Sequence, residues 1–392
     1  MKIFLATMGT RGDIEPFVHL ATAALNRGDS VTAMATAEFK NEFDPRVNFV
    51  ALPGSIRDLV EQTKASPAVA AKIFSRVIKP VMVDGMDILF TTAKLAKPDV
   101  IVFHPKIVAA PLVASAVNAV AVQVEFAPIT VPTSAFASAG VGRYSLGRLN
   151  RLTYSLVNRG SAQLFATELR QRARDWGASP APVTTVIAVS PALVHRPNDY
   201  AASAFVTGQW ASDRVDAVSQ QILDFCQVPT VAINFGSMTQ SNETIATLID
   251  GIREQGRRVL LIGGWSGADS SFTNSNDLLA VSAVDHNAVF PLCEAIVHHG
   301  GAGTTHAVAR AGRPQWVIPV LADQPWWRDL TVLLGIGVRG VSRRKLTAAS
   351  VHKELEKLLS LQVRAKEVSS AMAGENGVDA TLRLCDSLVA GN

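Results

Sequence analysis

The sequence predicts an α/β protein built from two doubly wound parallel sheets, and three observations carry that expectation. Short apolar runs alternate with helical patterns along the chain, which is the signature of parallel strands covered by helices on both faces. The length, 392 residues, exceeds what one compact core usually holds. Between two such alternating series, Val206-Thr207-Gly208-Gln209-Trp210 breaks the pattern and leads into a polar stretch.

The first series places strands at Lys2 to Thr7, Ser30 to Ala35, Val47 to Leu52, Asp99 to His104, Ala119 to Val124 and Thr185 to Ser190. The second places them at Thr230 to Phe235, Arg258 to Ile262, Leu279 to Ala283, Ala295 to His298 and Gln315 to Val320. The division that follows is residues 1–205, a linker over 206–216, and residues 217–392. Ile107 to Val124 carries no charge over 18 residues, the lower limit of a membrane span, but Pro111, Ser115, Asn118 and Gln123 interrupt it. It reads as a helix, Ala109 to Val117, and then a buried strand. Ser55 to Met86 and Thr130 to Arg172 are the least strand-like regions.

Hydrophobic residues make up 48% of the chain and charged residues 18%, which describes a well-buried globular protein. The net charge of +4 comes with no basic run beyond Arg343-Arg344-Lys345, so nucleic acid is not an expected partner. A slight positive balance suits an anionic small ligand and leaves room for peripheral contact with an acidic membrane. Cys226, Cys293 and Cys385 are too few for a disulfide framework or a metal cage. The apolar run after Lys2 ends by Gly9, too short for a secretory signal, so the expected location is the cytoplasm, as a monomer or homodimer.

Two stretches carry chemistry. His298-His299-Gly300-Gly301-Ala302-Gly303-Thr304-Thr305 follows a strand and opens a helix, which leaves the first backbone N–H groups of that helix free for a diphosphate. Asp323 and Gln324 follow the next strand, beyond its carboxyl end, where ligands of open α/β sheets bind. A carboxylate beside a carboxamide offers acceptors and donors to vicinal hydroxyls, as a sugar presents them.

With Met8-Gly9-Thr10-Arg11-Gly12-Asp13-Ile14-Glu15-Pro16, Phe103-His104-Pro105-Lys106, Pro132-Thr133-Ser134-Ala135-Phe136 and Phe235-Gly236-Ser237-Met238, these motifs resemble family 1 glycosyltransferases of the GT-B fold. The likeness is nearest to the bacterial natural-product and sterol glucosyltransferase branch and spans nearly the whole chain. It implies an N-terminal acceptor domain, a C-terminal nucleotide-sugar domain and a last helical segment, about 363–388, that crosses back to the N-terminal domain. It also implies inverting, metal-independent transfer from a UDP- or dTDP-sugar to a hydroxyl of a hydrophobic small molecule, with no cofactor.

Asp13 stands where many relatives carry the histidine of Gly-His-x-x-Pro and is the expected base; as a residue before a helix starting at Ile14, it also suits an N-cap. His19 is the rival base, with a packed helix histidine as the plain alternative. Aligned with the family's His-Cys-Gly-Trp-Asn-Ser, His298 becomes the phosphate-binding histidine and His299 a structural one. Gly12, Ser237, Gly301, Ala302, Gly303 and Thr304 join it around the donor, Asp323 and Gln324 take the sugar, and Val284 lies in the nucleobase stretch. Ala288 stands where sterol-type relatives often have Trp, which leaves UDP or dTDP open. His104, Phe126 and Phe136 are acceptor-pocket candidates. The competing readings are a silent sugar-nucleotide-binding partner of another transferase and a UDP-sugar epimerase.

Overall fold

The structure, a computed structural model, describes residues 1–52, 74–211, 215–236, 240–263 and 268–391. Two wholly parallel sheets organise them, in agreement with the fold class read from the sequence. The first holds β1 (Lys2–Ala6), β2 (Ser30–Thr36), β3 (Asn48–Leu52), β4 (Val100–Phe103), β5 (Val120–Glu125), β6 (Val183–Ile187) and β7 (Ala204–Val206), in the spatial order β3-β2-β1-β4-β5-β6-β7. The second holds β8 (Thr230–Asn234), β9 (Arg258–Ile262), β10 (Leu278–Val281), β11 (Ala295–His298), β12 (Gln315–Val317) and β13 (Gly337–Val338), in the order β10-β9-β8-β11-β12-β13. Strands β1, β4, β8 and β11 are apolar on both faces because helices cover both, so they read as continuous runs rather than alternations.

Each sheet reverses its direction of growth once, between β1 and β4 in the first and between β8 and β11 in the second. The connections leaving adjacent strands there diverge to opposite faces and open a crevice at the strands' carboxyl ends. Every motif quoted above for base, phosphate and strand-end histidine follows one of these four strands.

The helices used below are α1 (Arg11–Asn26), α2 (Lys79–Ala96), α3 (Ala110–Val117), α4 (Asn150–Leu164), α5 (Ala166–Trp176), α6 (Gln220–Phe225), α7 (Asn242–Arg253), α8 (His286–Val289), α9 (Ala302–Arg310), α10 (Gln324–Leu333), α11 (Ala348–Leu359), α12 (Gln362–Ala371) and α13 (Gly377–Ala390). The uncharged stretch Ile107 to Val124 resolves into α3 and β5, and among the described residues no helix is long and apolar enough to cross a membrane. The C-terminal segment is two helices rather than one, broken at 372–376, and α13 buries Val378, Leu382 and Cys385 in one core with Ile3, Phe17 and Val102 of the first sheet's layer. Trp210 anchors it there, donating from Nε1 to Thr381 Oγ1 at 2.8 Å.

Three departures from the sequence reading have physical reasons. Strands β7 and β13 are two or three residues long, too short to show periodicity, and β7 overlaps the start of the expected linker. Helix α1 begins at Arg11 with Thr10 as its N-cap, so Asp13 is the third helical residue, not the cap; Thr10 and Asp13 are both good cap residues, and only the backbone chooses. Cys226 and Cys293 meet side chain to side chain although 67 positions apart, and all three cysteines are free.

Candidate active site

On the first wall of the crevice, α1 starts directly after β1, and its capping box fixes Asp13: Thr10 N–H donates to Asp13 Oδ2 at 2.8 Å. The turn needs glycine at position 9, where φ is +143° and a Cβ would lie 2.0 Å from Asp13 Oδ2. Strand β4 delivers His104 and Lys106 to the same carboxylate. His104 Nε2 is 3.3 Å from Oδ1, and Lys106 Nζ is 2.8 Å from Oδ2. Lys106 N–H donates to His104 Nδ1 at 3.2 Å, so a neutral His104 carries its proton on Nε2, facing Asp13.

Burial alone would raise the Asp13 carboxyl, but the Lys106 ammonium and the His104 N–H outweigh it and hold Asp13 well below the usual carboxylate range. Burial lowers His104, which keeps it neutral. Asp13 is thus oriented by four donors, the Thr10 N–H and hydroxyl, His104 and Lys106, none of which requires a further acidic partner. Lys106 is the group the sequence reading missed: it stood in the quoted motif without a role, two residues past a strand-end histidine. His19 lies six residues further along α1, about 9 Å down the axis, with its Nδ1 buried and unpartnered.

The second wall is the turn after β11. Gly301 caps α9, and the N–H groups of Ala302, Gly303 and Thr304 precede the first intrahelical bond, Thr305 N–H to Gly301 O at 2.9 Å. Among the described residues nothing lies within 4 Å of a Cβ placed on Gly303, which is exposed. His298, expected to grip phosphate, is held by protein partners on both ring nitrogens. It is fully buried, its Nδ1 accepts from Gly300 N–H at 3.1 Å, and its Nε2–H donates to Gln315 Oε1 at 2.9 Å. Burial lowers it to about 3, so it is a neutral brace with no free N–H.

His299, read from the sequence as structural, is the imidazole at the mouth. Its Nε2 lies 2.5 Å from where a Cβ on Gly301 would be and its Cε1 3.2 Å from the corresponding point on Gly236, so the ring spans the ends of β11 and β8. Its Nδ1 has no hydrogen-bond partner among the described residues, and burial, opposed by the backbone of Asn234, lowers it to about 4. Only the direction in which each histidine points separates the two, and adjacent positions in sequence do not reveal that. Ser237 lies outside the described residues.

Asp323 precedes α10. Its Oδ2 accepts from Trp327 Nε1 at 2.8 Å, while no side-chain bond among the described residues engages Oδ1. Burial pushes its carboxyl up, and the charges of Asp13 and Lys106 reach it from the opposite wall. Gln324 turns its carbonyl inward, accepting from Val320 N–H at 2.7 Å and Leu321 N–H at 3.0 Å, so its amide N–H2 is the end left for a ligand. Val284 is half-buried before α8, where His286 stacks on Phe290 at 4.5 Å. Burial, and then the charge of Arg11 on α1, lower His286 to about 4. Gly12 is exposed in the first turn of α1.

Of the acceptor candidates, Phe126 packs 6.1 Å from His104 and 5.8 Å from Trp210, beside the base. Phe136 is 3% exposed, wedged against Trp326 at 5.6 Å in the contact between the two domains. Beside Lys106 an apolar cavity of about 10 Å³ is lined by Met8, Met34, Met82, Met86 and Ile107. Among the described residues no group of three or more His, Cys, Asp or Glu is arranged to hold a metal ion.

Known proteins fit this geometry. Residues 274–382 match the family described as Erythromycin biosynthesis protein CIII-like, C-terminal domain. The chain is 29% identical to the O-mycaminosyltylonolide 6-deoxyallosyltransferase of Streptomyces fradiae, over 97% of this chain and 95% of that one. It is 29% identical to the vancomycin aglycone glucosyltransferase of Amycolatopsis orientalis, over 86% and 85%. The fold is GT-B and the enzyme a glycosyltransferase. Other relatives of this glycosyltransferase include a sterol 3-beta-glucosyltransferase of Arabidopsis thaliana, 24% identical over 97% of this chain and 67% of that one. Its fold also matches the solved glycosyltransferase VinC in complex with dTDP, at a TM-score of 0.70 and 16% identity, over 100% of both chains.

Proposed function

We propose that this glycosyltransferase moves a hexose or deoxyhexose from a UDP- or dTDP-sugar to a hydroxyl of a hydrophobic small molecule, a natural-product aglycone, sterol or lipid-like compound, with inversion and without a metal ion. One observation carries the reading: Asp13, backed by His104 and Lys106, and Asp323, beside the α9 N-terminus, sit close enough across one crevice for their charges to interact.

In this reading the nucleotide diphosphate lies on the N–H groups of Ala302, Gly303 and Thr304, with the Thr304 hydroxyl and His299 as further donors. These fixed dipoles stand where charge develops on the leaving group. Asp323 and the Gln324 amide hold sugar hydroxyls. The acceptor enters between α1 and the strand-end residues of β4.

The acceptor oxygen attacks the anomeric carbon as the bond to the diphosphate breaks, and the electron pair departs on the diphosphate. The acceptor proton passes to Asp13, whose Oδ1 is engaged among the described residues only by the 3.3 Å contact to His104. A carboxylate held this low is a weak base, so the proton moves late, once the anomeric centre is oxocarbenium-like and the hydroxyl has become acidic. A single in-line displacement inverts the centre.

The test is binding and hydrolysis of UDP-glucose, dTDP-glucose and dTDP-deoxysugars by the purified protein, with and without chelator. Selective binding of one donor, unchanged by chelator, is the expected result. Failure to bind any of them overturns the reading.

A further inference from the structure

We propose that α4 docks the protein on an anionic lipid bilayer. The helix buries Asn150, Thr153 and Tyr154 against the N-terminal domain. A second face, begun by the N-cap Leu149, presents leucine to solvent: Leu149 is 56% exposed, Leu152 62% and Leu156 70%. At about 100° per residue these three fall within an arc of about 60°, so they form one stripe rather than scattered exposures. Contiguous apolar side chains on the surface of a soluble domain mark a contact.

The charge beside the stripe selects the partner. Arg148 and Arg159 flank it, and Arg143 and Arg151 lie near. Residues 126–167 hold these four Arg and no Lys, Asp or Glu, so this segment carries +4, the whole of the chain's formal net charge. Only Arg151 has an acidic neighbour, Asp199 at 3.7 Å; Arg143, Arg148 and Arg159 pair with no carboxylate among the described residues. A second copy of the chain docked symmetrically on α4 would set arginine against arginine. An acidic headgroup layer pairs the arginines while its acyl boundary takes the leucines, as for helices that lie in the membrane interface.

The position fits the chemistry of the crevice. The loop leading to α4 packs across the domain boundary, with Tyr144 5.1 Å from Trp326 and Ala137 O accepting from Trp326 Nε1 at 3.0 Å. A bilayer at α4 therefore lies beside the crevice, where a hydrophobic acceptor dissolved in lipid would enter; that last step rests on the proposed function, whereas docking itself does not.

The test is co-sedimentation of the full chain, without donor or acceptor, with vesicles of phosphatidylcholine and phosphatidylserine mixed about two to one, against phosphatidylcholine alone. Binding is expected to the mixed vesicles only and to be lost in about 0.5 M salt. Each arginine contributes on the order of fivefold to partitioning, so Arg148→Gln/Arg159→Gln should weaken it about 25-fold. Leu152→Gln/Leu156→Gln should weaken it at least tenfold. Both variants should keep the wild-type transfer rate toward a water-dissolved acceptor. Equal binding to both vesicles, no binding to either, or variants that bind like wild type would overturn the proposal. So would self-association abolished by the leucine variant without vesicle binding, which would assign the stripe to a second copy.

Discussion

Replacing Asp13 by Asn removes the carboxylate's charge while keeping most of its place in the fold. The Asn carbonyl still accepts from Thr10 N–H, the 2.8 Å bond of the capping box, but its amide N–H2 then faces the His104 Nε2–H that Asp13 Oδ1 meets at 3.3 Å. What disappears is the ion pair to Lys106, whose side chain is 45% exposed, and the acceptor for the buried His104 N–H, so the loss of stability should be about 1–3 kcal/mol. The loss in rate is larger. A positioned base contributes about 10²- to 10⁴-fold, or roughly 3–5 kcal/mol in the barrier. Donor affinity should hold, because the diphosphate donors sit on α9. The assay is nucleoside diphosphate release at saturating donor and acceptor, with donor Kd by calorimetry and urea unfolding on the same preparation. A rate within tenfold of wild type in a folded variant would refute Asp13 as the base and send the role to His19, where a parallel His19→Ala variant is expected to stay near wild type.

Gly9→Ala should cost as much activity as Asp13→Asn, because a Cβ at that position occupies the Asp13 carboxylate's space; a variant with normal turnover would show that Asp13 need not stay where it is. His299→Ala should weaken nucleoside diphosphate binding about 10- to 100-fold by calorimetry, whereas His298→Ala should mainly lower stability, by about 1–3 kcal/mol, because Gln315 and Gly300 N–H lose their partner. The reverse pattern would restore His298 as the phosphate contact. Stability should fall as pH drops from about 6.5, since His298 and His306 are buried and held at about 3 and about 4 while the unfolded chain takes up protons near 6.5. Each imidazole withdraws on the order of 2 kcal/mol between pH 6.5 and 5, and protonating His306 also takes away the acceptor for Ser190 N–H from the other domain, now at 3.0 Å. The depressed Asp13 acts lower, its contribution being lost only below about pH 4. Equal urea midpoints at pH 7 and pH 5 would refute this.

Much of the fold is local and was therefore legible. Strands such as Arg258–Ile262 and Ala295–His298 announce themselves as unbroken apolar runs, because burial on both faces of a parallel sheet constrains every residue in them. The glycine turn before α9 and the strand-end position of Asp13 are also local, since a turn, a cap and the first amides of a helix all fall within a few residues. The short strands β7 and β13 escaped for the same reason in reverse: two or three residues formed by pairing with a neighbour leave no pattern of their own.

The chemistry of the site was decided elsewhere. That Asp13 meets Lys106 and His104, 93 and 91 residues away, follows from β1 and β4 being neighbours at the point where the first sheet reverses. That His298 is spent on Gln315 while His299 turns to the mouth follows from β12 lying beside β11, so that Ile296 pairs Gln315 and the buried face claims the first histidine. Sequence determines which residues stand at strand ends, because secondary structure is set by near neighbours. Which of them face one another, and which are left free to bind, is set by strand order and burial, and those exist only once the sheets have formed.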